Sequence, residues 1–183
     1  LAQITFANES ELPPLRNIQY RIATDHDLVQ LAQLRWDFRN EDGDEQPVMS
    51  QQDFIERCTH FLKHGLVSGY HTYWVAEQDG EILAQVFIHR IDLVPRPCKL
   101  EDQFGYITNN YTKPAYRNQG IGSELMRYVK DWAHAQDLEL LIVYPSDDAV
   151  TFYKRAGFRS ENDVMELQLR EFYSPSWNQG NSN

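Results

Sequence analysis

Seven consecutive residues, Arg117-Asn118-Gln119-Gly120-Ile121-Gly122-Ser123, have the chemistry of an anion site. They follow a short turn after an alternating stretch and open a segment with helical periodicity. Glycines at a helix start let the backbone approach a ligand without Cβ clashes. The N–H groups of the first turn lack intrahelical partners and point outward. With the helix dipole behind them, these donors suit a pyrophosphate, and Arg117 would add a charge-assisted contact. On the loop alone an alternative stands, that the glycines only let a helix pack. The stretch is neither a P-loop, lacking Gly-Lys-Ser/Thr, nor a dinucleotide fingerprint, lacking the third glycine. If it holds phosphate, Gly122→Val should weaken ligand binding and leave the protein folded.

Periodicity indicates the elements that would position this loop. Residues 1–17 read as a loose N-terminal arm, with Pro13-Pro14 blocking a helix. Ile18 to Ala23 alternates as a first strand. Thr24-x-x-Asp27 has the spacing of a helix start, and Leu28, Leu31, Ala32, Arg35 and Trp36 then recur at helical spacing to about Asn40. A second helix is expected over about Gln51 to His64, with Phe54, Ile55, Cys58, Phe61 and Leu62 on one face. Thr72 to Gln78 and Glu81 to Leu93 read as a hairpin around a type I′ turn at Asp79-Gly80. Phe104 to Thr112 is the next strand and Asn118 to Ala135 a helix. Leu138 to Tyr144 reads as a strand buried on both faces. Ala149 to Ala156 is a short helix closed by Gly157, Val164 to Leu169 a last strand, and 174–183 a polar, frayed tail. One domain therefore spans residues 18–173.

Composition narrows the function. The 183 residues are 42% hydrophobic and 24% charged, ordinary for a globular chain. Lys and Arg number 17 against 27 Asp and Glu, a net charge of −10 that argues against non-specific nucleic-acid binding. No apolar run approaches the ~20 residues of a membrane span. The first residues lack the basic and apolar regions of a signal peptide. Two cysteines, Cys58 and Cys98, make no disulfide framework, which fits a reducing cytoplasmic setting. Cys58, His60 and His64 do not share a helical face, so no metal is expected.

Two motifs together are more informative than either alone. The run from Tyr111 through Thr112, Lys113, Pro114, Ala115, Tyr116 and Arg117 to Gly122 resembles the fourth strand, turn and acetyl-CoA loop of the GNAT N-acetyltransferase superfamily. About thirty residues later, Ala149-Val150-Thr151-Phe152-Tyr153-Lys154-Arg155-Ala156-Gly157-Phe158 is similar to the family's second signature. The resemblance implies an α/β (α+β) fold, a single domain around a mixed, mostly antiparallel sheet of six to seven strands flanked by helices and splayed between strands 4 and 5. It implies acetyl-CoA as acyl donor and no metal. The pantetheine would pair with backbone groups of Tyr111 and Thr112. Its phosphates would meet Arg117, Asn118, Gln119, Gly120, Ile121, Gly122 and Ser123, with Phe152 lining the same cofactor. Tyr153 occupies the position of the family's general acid, the group that protonates the leaving thiolate.

The chain departs from the family pattern in two places. Many members carry an asparagine seven residues before the tyrosine; here it is Ser146, a shorter hydrogen-bonding contact. The glutamate that some members use as base falls at or near Tyr106, which cannot play that part. Glu101, Asp102 and His89 lie nearby without a clear claim, so no base is assigned. By the same resemblance the first two helices build the acceptor side, with Arg35, Trp36 and Glu41 as substrate contacts, the alternative for Trp36 being a place in the core. The acidic run 41–45 reads either as a solvated loop or as a lure for a cation. The expected activity is acetylation of a primary amine on a small molecule. Acetylation of protein lysines or N-termini and a non-catalytic acyl-CoA-binding module are the alternatives. A homodimer is expected by analogy with relatives.

Overall fold

The computed structural model describes residues 15–41, 47–98 and 102–160. Five strands form one sheet: β1 (Gln19–Ile22), β2 (His71–Gln78), β3 (Glu81–Asp92), β4 (Gln103–Thr112) and β5 (Leu141–Val143), in that spatial order. The first three pairings are antiparallel and β4–β5 is parallel. The sheet is thus mixed and mostly antiparallel. The sixth strand expected at Val164–Leu169, the arm up to Pro14 and the tail from Ser174 lie outside the described residues.

Alternating side chains bury both faces of the sheet. Tyr73 and Val75 of β2 face a cluster with Leu28, Leu31, Ala32 and Leu34 of α1 (Leu28–Asn40) and Leu62 of α2 (Gln51–Ser68). Trp74 and Ala76 face the opposite cluster, with Ile121, Leu125, Met126 and Val129 of α3 (Ile121–Ala135) and Tyr153 of α4 (Val150–Arg155). Ile121, Leu125, Met126, Val129 and Ala133 form the buried stripe of α3, with Trp132 at its edge. Asp79 and Gly80 both take positive φ, 54° and 84°, as a type I′ turn requires.

Some expected boundaries move for local reasons. Helix α2 runs to Ser68 rather than His64, because Gly65 is packing surface and not a stop. A Cβ there would lie 2.3 Å from the Tyr73 hydroxyl and 2.6 Å from His71 Nδ1. Gly69, in the left-handed region at φ 74°, ends the helix. The Asn118 start expected for α3 gives way to Ile121, since Asn118 and Gly120 are left-handed at φ 60° and 83°. Strand β5 is three residues long and half-buried rather than seven and buried on both faces. Leu138 is spent on the end of α3, where its N–H donates to the Ala133 carbonyl at 3.1 Å.

The junction of β1 and α1 contains a charged lock. Arg21 donates to both carboxylate oxygens of Asp27, at 2.7 and 2.8 Å, and the Thr24 N–H adds a third bond at 2.7 Å. The Arg21 guanidinium, seconded by Thr24, holds the Asp27 carboxyl down at about 2. The unfolded value is about 3.9. A folded-state pKa below the unfolded one gives stability that is present above the unfolded value and lost as pH falls through about 2. Allowing for solvent at the partly exposed Arg21, Asp27→Asn should cost about 1–2 kcal/mol at neutral pH. In urea unfolding, the gap between wild type and variant should narrow from pH 7 toward pH 2.5. A gap independent of pH would show that the carboxylate is not the stabilising group.

Candidate functional site

Strand β5 pairs with β4 only from Gly105 to Ile107. Strand β4 then runs on through Thr108–Thr112 without it, while the chain after β5 turns away at Pro145. The two strands therefore splay, and the β5-side edge of Thr108–Thr112 has no strand partner among the described residues. The start of α3 comes up against this open edge. Its first helical hydrogen bond is Glu124 N–H to the Gly120 carbonyl at 3.0 Å, so the N–H groups of Ile121, Gly122 and Ser123 are left for a ligand. Residues 117–120 are exposed. A Cβ on Gly120 would meet nothing within 4 Å. A Cβ on Gly122 would lie 3.2 Å from Thr112 Oγ1 and 3.7 Å from the Phe152 ring, so Thr112, Gly122 and Phe152 converge. Valine at Gly122 would therefore press on β4 and α4 as well as on any ligand. It cannot be the clean phosphate-loop test that the sequence suggested.

Helix α4 brings Tyr153 to the same edge. Its ring packs edge-on between Phe152 and Phe158, with centroids 5.1 and 5.3 Å away, and the residue is 6% exposed. Asn110 Nδ2 donates to the Tyr153 hydroxyl oxygen at 3.0 Å. Because the oxygen accepts that bond, its own proton is free to be given elsewhere. Burial raises the phenol above its ordinary value and the Asn110 bond opposes this, so the group is protonated at neutral pH. Sequence reading missed Asn110, which belongs to no motif.

Asn110 reaches Tyr153 through an irregularity in β4. Val86 of β3 faces two β4 residues, Asn109 and Asn110, because the register shifts between Gln85↔Tyr111 and Phe87↔Thr108. Asn109 takes φ 49°. This bulge puts Ile107 in the α3-side cluster and Tyr111 in the α1-side cluster, although simple alternation would align them. It also exchanges the faces that alternation from Ile107 would give Asn109 and Asn110. Asn110 meets Tyr153, and Asn109 accepts a 3.0 Å bond from Arg35 of α1.

On the Asn109 face lies a cleft of about 420 Å³. Thr108, Asn109 and Phe87 form its floor, Arg35 comes from α1, and Phe54, Arg57, Cys58, Phe61 and Leu62 come from α2, with Met49 before it. Phe61, expected on the buried face of α2, is 60% exposed at this cleft. Of the expected substrate contacts, Arg35 lines the cleft. Trp36 stands behind it against Phe54, with centroids 5.3 Å apart. Glu41 lies elsewhere, paired with both terminal nitrogens of Arg117 at 2.5 and 2.7 Å.

That pair also redirects Arg117. Its guanidinium bonds Glu41, donates from Nε to the Thr112 carbonyl at 3.0 Å, and stacks 5.4 Å over the Tyr111 ring. The pairing with Arg117 holds the Glu41 carboxyl below its usual range, while burial and Glu41 push the Tyr111 phenol up to about 12. Ser146 is exposed in the turn between β5 and α4. The groups weighed as a base stand away from the cleft lining. Asp102 is buried against Arg96, and His89 stacks on His71 at 4.4 Å. Glu101 lies outside the described residues. Among the described residues no group of three or more His, Cys, Asp or Glu is placed to hold a metal, and no helix is long and apolar enough to cross a membrane.

Residues 28–158 match the model of the acetyltransferase (GNAT) family. Solved structures share the fold. A predicted acetyltransferase of Clostridium acetobutylicum, solved with acetyl-CoA, is 26% identical with a TM-score of 0.70, over 86% of this chain and 99% of that one. A GCN5-related N-acetyltransferase of Ralstonia eutropha is 23% identical with a TM-score of 0.66, over 83% and 99%. Glucosamine-6-phosphate N-acetyltransferase of Arabidopsis thaliana is 15% identical with a TM-score of 0.59, over 85% and 100%. Among curated proteins none matches the chain in sequence.

Proposed function

Since the chain belongs to the GNAT acetyltransferase family, we propose that it moves an acetyl group from acetyl-CoA to the primary amine of a small molecule, with Tyr153 as general acid. The class, an acetyl-CoA-dependent acyltransferase, follows from membership. The observation that carries the finer reading is the β4 bulge. It sets one strand between a cleft of small-molecule size and a buried tyrosine whose proton is free.

The residues present fit acetyl-CoA. Three N–H groups at the start of α3 and the open Gly120 form a cradle for its pyrophosphate. The open edge of β4 at Tyr111 and Thr112 would pair with the pantetheine as an added strand. Phe152, beside Gly122, would border the pantetheine, and the exposed Ser146 would add a hydrogen bond to it. An N–H of the same edge, near the bulge, would stabilise the oxyanion as the amine adds to the thioester carbon. When the C–S bond breaks, Tyr153 would give its proton to the leaving thiolate while the Asn110 amide stabilises the phenolate. The proton that the attacking nitrogen sheds on becoming an amide would pass to solvent, from which Tyr153 is reprotonated. The homodimer and the cytoplasmic setting are proposals that rest on resemblance and composition alone.

Thiol release from acetyl-CoA, measured against a panel of small amines, lysine peptides and no acceptor, tests this function. Amine-dependent release with the acetylated amine recovered supports it. Binding of acetyl-CoA with no acceptor-dependent release leaves a non-catalytic module, and preference for peptides moves the acceptor to proteins.

A further inference from the structure

The cleft's chemistry is specific enough to indicate an acceptor class, given the transfer function proposed above. Its described lining holds two guanidinium groups, Arg35 and Arg57, and no carboxylate. Arg57 makes no ion pair with any described residue. On the floor, Asn109 is 8% exposed, and its Nδ2 is a buried donor without a partner among the described residues. A buried donor of this kind is costly unless an acceptor reaches it. The rest of the wall is apolar, with Met49, Phe54, Phe61 and Phe87. Exposed aromatic surface inside a cleft is suited to an apolar arm.

We infer that the acceptor is an amino carboxylate with an apolar side chain, of the class of the apolar α-amino acids. Its carboxylate lies between Arg57 and the Arg35–Asn109 pair, and its side chain lies against Phe54, Phe61 and Phe87. Its amine points along the floor toward the bulge at Asn109. A polyamine or an aminoglycoside would bring several ammonium groups up to the Arg57 guanidinium, which is repulsive. Like charge at Arg57 together with desolvation favours the neutral amine that attack requires.

The test compares acceptors of similar amine basicity that differ in the anionic group. Thiol release is measured for the full chain with acetyl-CoA and L-leucine, leucinol or spermidine. Leucine should be acetylated with a KM about tenfold or more below that of leucinol, the worth of one charge-assisted contact. Spermidine should be the poorest of the three. Arg57→Gln should raise KM for leucine about tenfold with little change in kcat, leave leucinol unchanged, and be largely rescued by Arg57→Lys. Leucinol or spermidine used as well as leucine would overturn the proposal, as would an Arg57→Gln effect equal for leucine and leucinol. Acetyl-CoA binding is titrated separately. Binding with transfer to spermidine alone defeats only the acceptor class, whereas no binding, or binding with no amine acetylated, defeats the transferase reading with it.

Discussion

Replacing Tyr153 with phenylalanine is expected to lower kcat by about 10²-fold or more while leaving the protein folded. The change removes one hydroxyl. The ring keeps its edge contacts with Phe152 and Phe158, so the α4 side of the core stays packed. What is lost is the 3.0 Å bond from Asn110, and the half-buried amide left behind costs about 1 kcal/mol. Acetyl-CoA affinity should change little, since the start of α3 and the β4 edge are untouched. The loss should appear in kcat at saturating acetyl-CoA, because a general acid acts on charge that develops only as the thiolate leaves. The pH profile gives an independent check. Burial raises the Tyr153 phenol above its ordinary value, so the acid form persists through neutral pH. Any fall in activity toward acid pH therefore belongs to the amine or another group and should survive in the variant. A tyrosine that only packs would give the reverse, lower stability with near-normal kcat. Full activity in Tyr153→Phe would remove it from the mechanism.

Most of the fold was legible because its signals are local. The α3 stripe, the Asp79-Gly80 turn and the glycine that closes α4 each depend on residues a few positions apart. The two motifs were legible for the same reason. The bulge at Asn109-Asn110 was not, because an extra residue in a strand leaves no mark on composition, and alternation read straight through it puts Ile107 and Tyr111 on one face. The Asn-Asn pair inside an otherwise alternating run was the one available hint. The Arg117–Glu41 pair joins residues 76 apart, and the pattern of neither segment predicts the other. Each was read by itself, as a phosphate contact and a substrate contact. Phe61 misled in a different way. Helical spacing puts it with Phe54, Cys58 and Leu62, and spacing cannot tell a core from a cleft lined by the same helix face. Arg57, one position from that stripe, belongs to no motif that would single it out.

The position of Arg117 makes the glycine at the head of α3 the sharper test of the cofactor cradle. With the guanidinium held by Glu41 and the Thr112 carbonyl, the phosphate contacts of the proposed cradle would fall to the N–H groups of Ile121, Gly122 and Ser123. Gly120→Asn is expected to weaken acetyl-CoA binding by about 10- to 100-fold, the worth of one or two charge-assisted hydrogen bonds. Asparagine tolerates the left-handed backbone that φ 83° imposes, so the helix start survives. Its side chain would rise from a Cβ that meets no protein atom within 4 Å, into the space through which phosphates must approach. The molecule supplies its own control. Gly80 has nearly the same φ, 84°, and an equally open Cβ, in the β2–β3 hairpin turn. Gly80→Asn repeats the backbone strain away from the cradle and should leave acetyl-CoA affinity unchanged. Titration calorimetry with acetyl-CoA, alongside thermal unfolding of both variants, separates binding from folding. A folded Gly120→Asn protein with normal affinity would place the phosphates elsewhere. Equal losses in both variants would trace the effect to backbone strain, and the α3 start would lose its claim as the anion site.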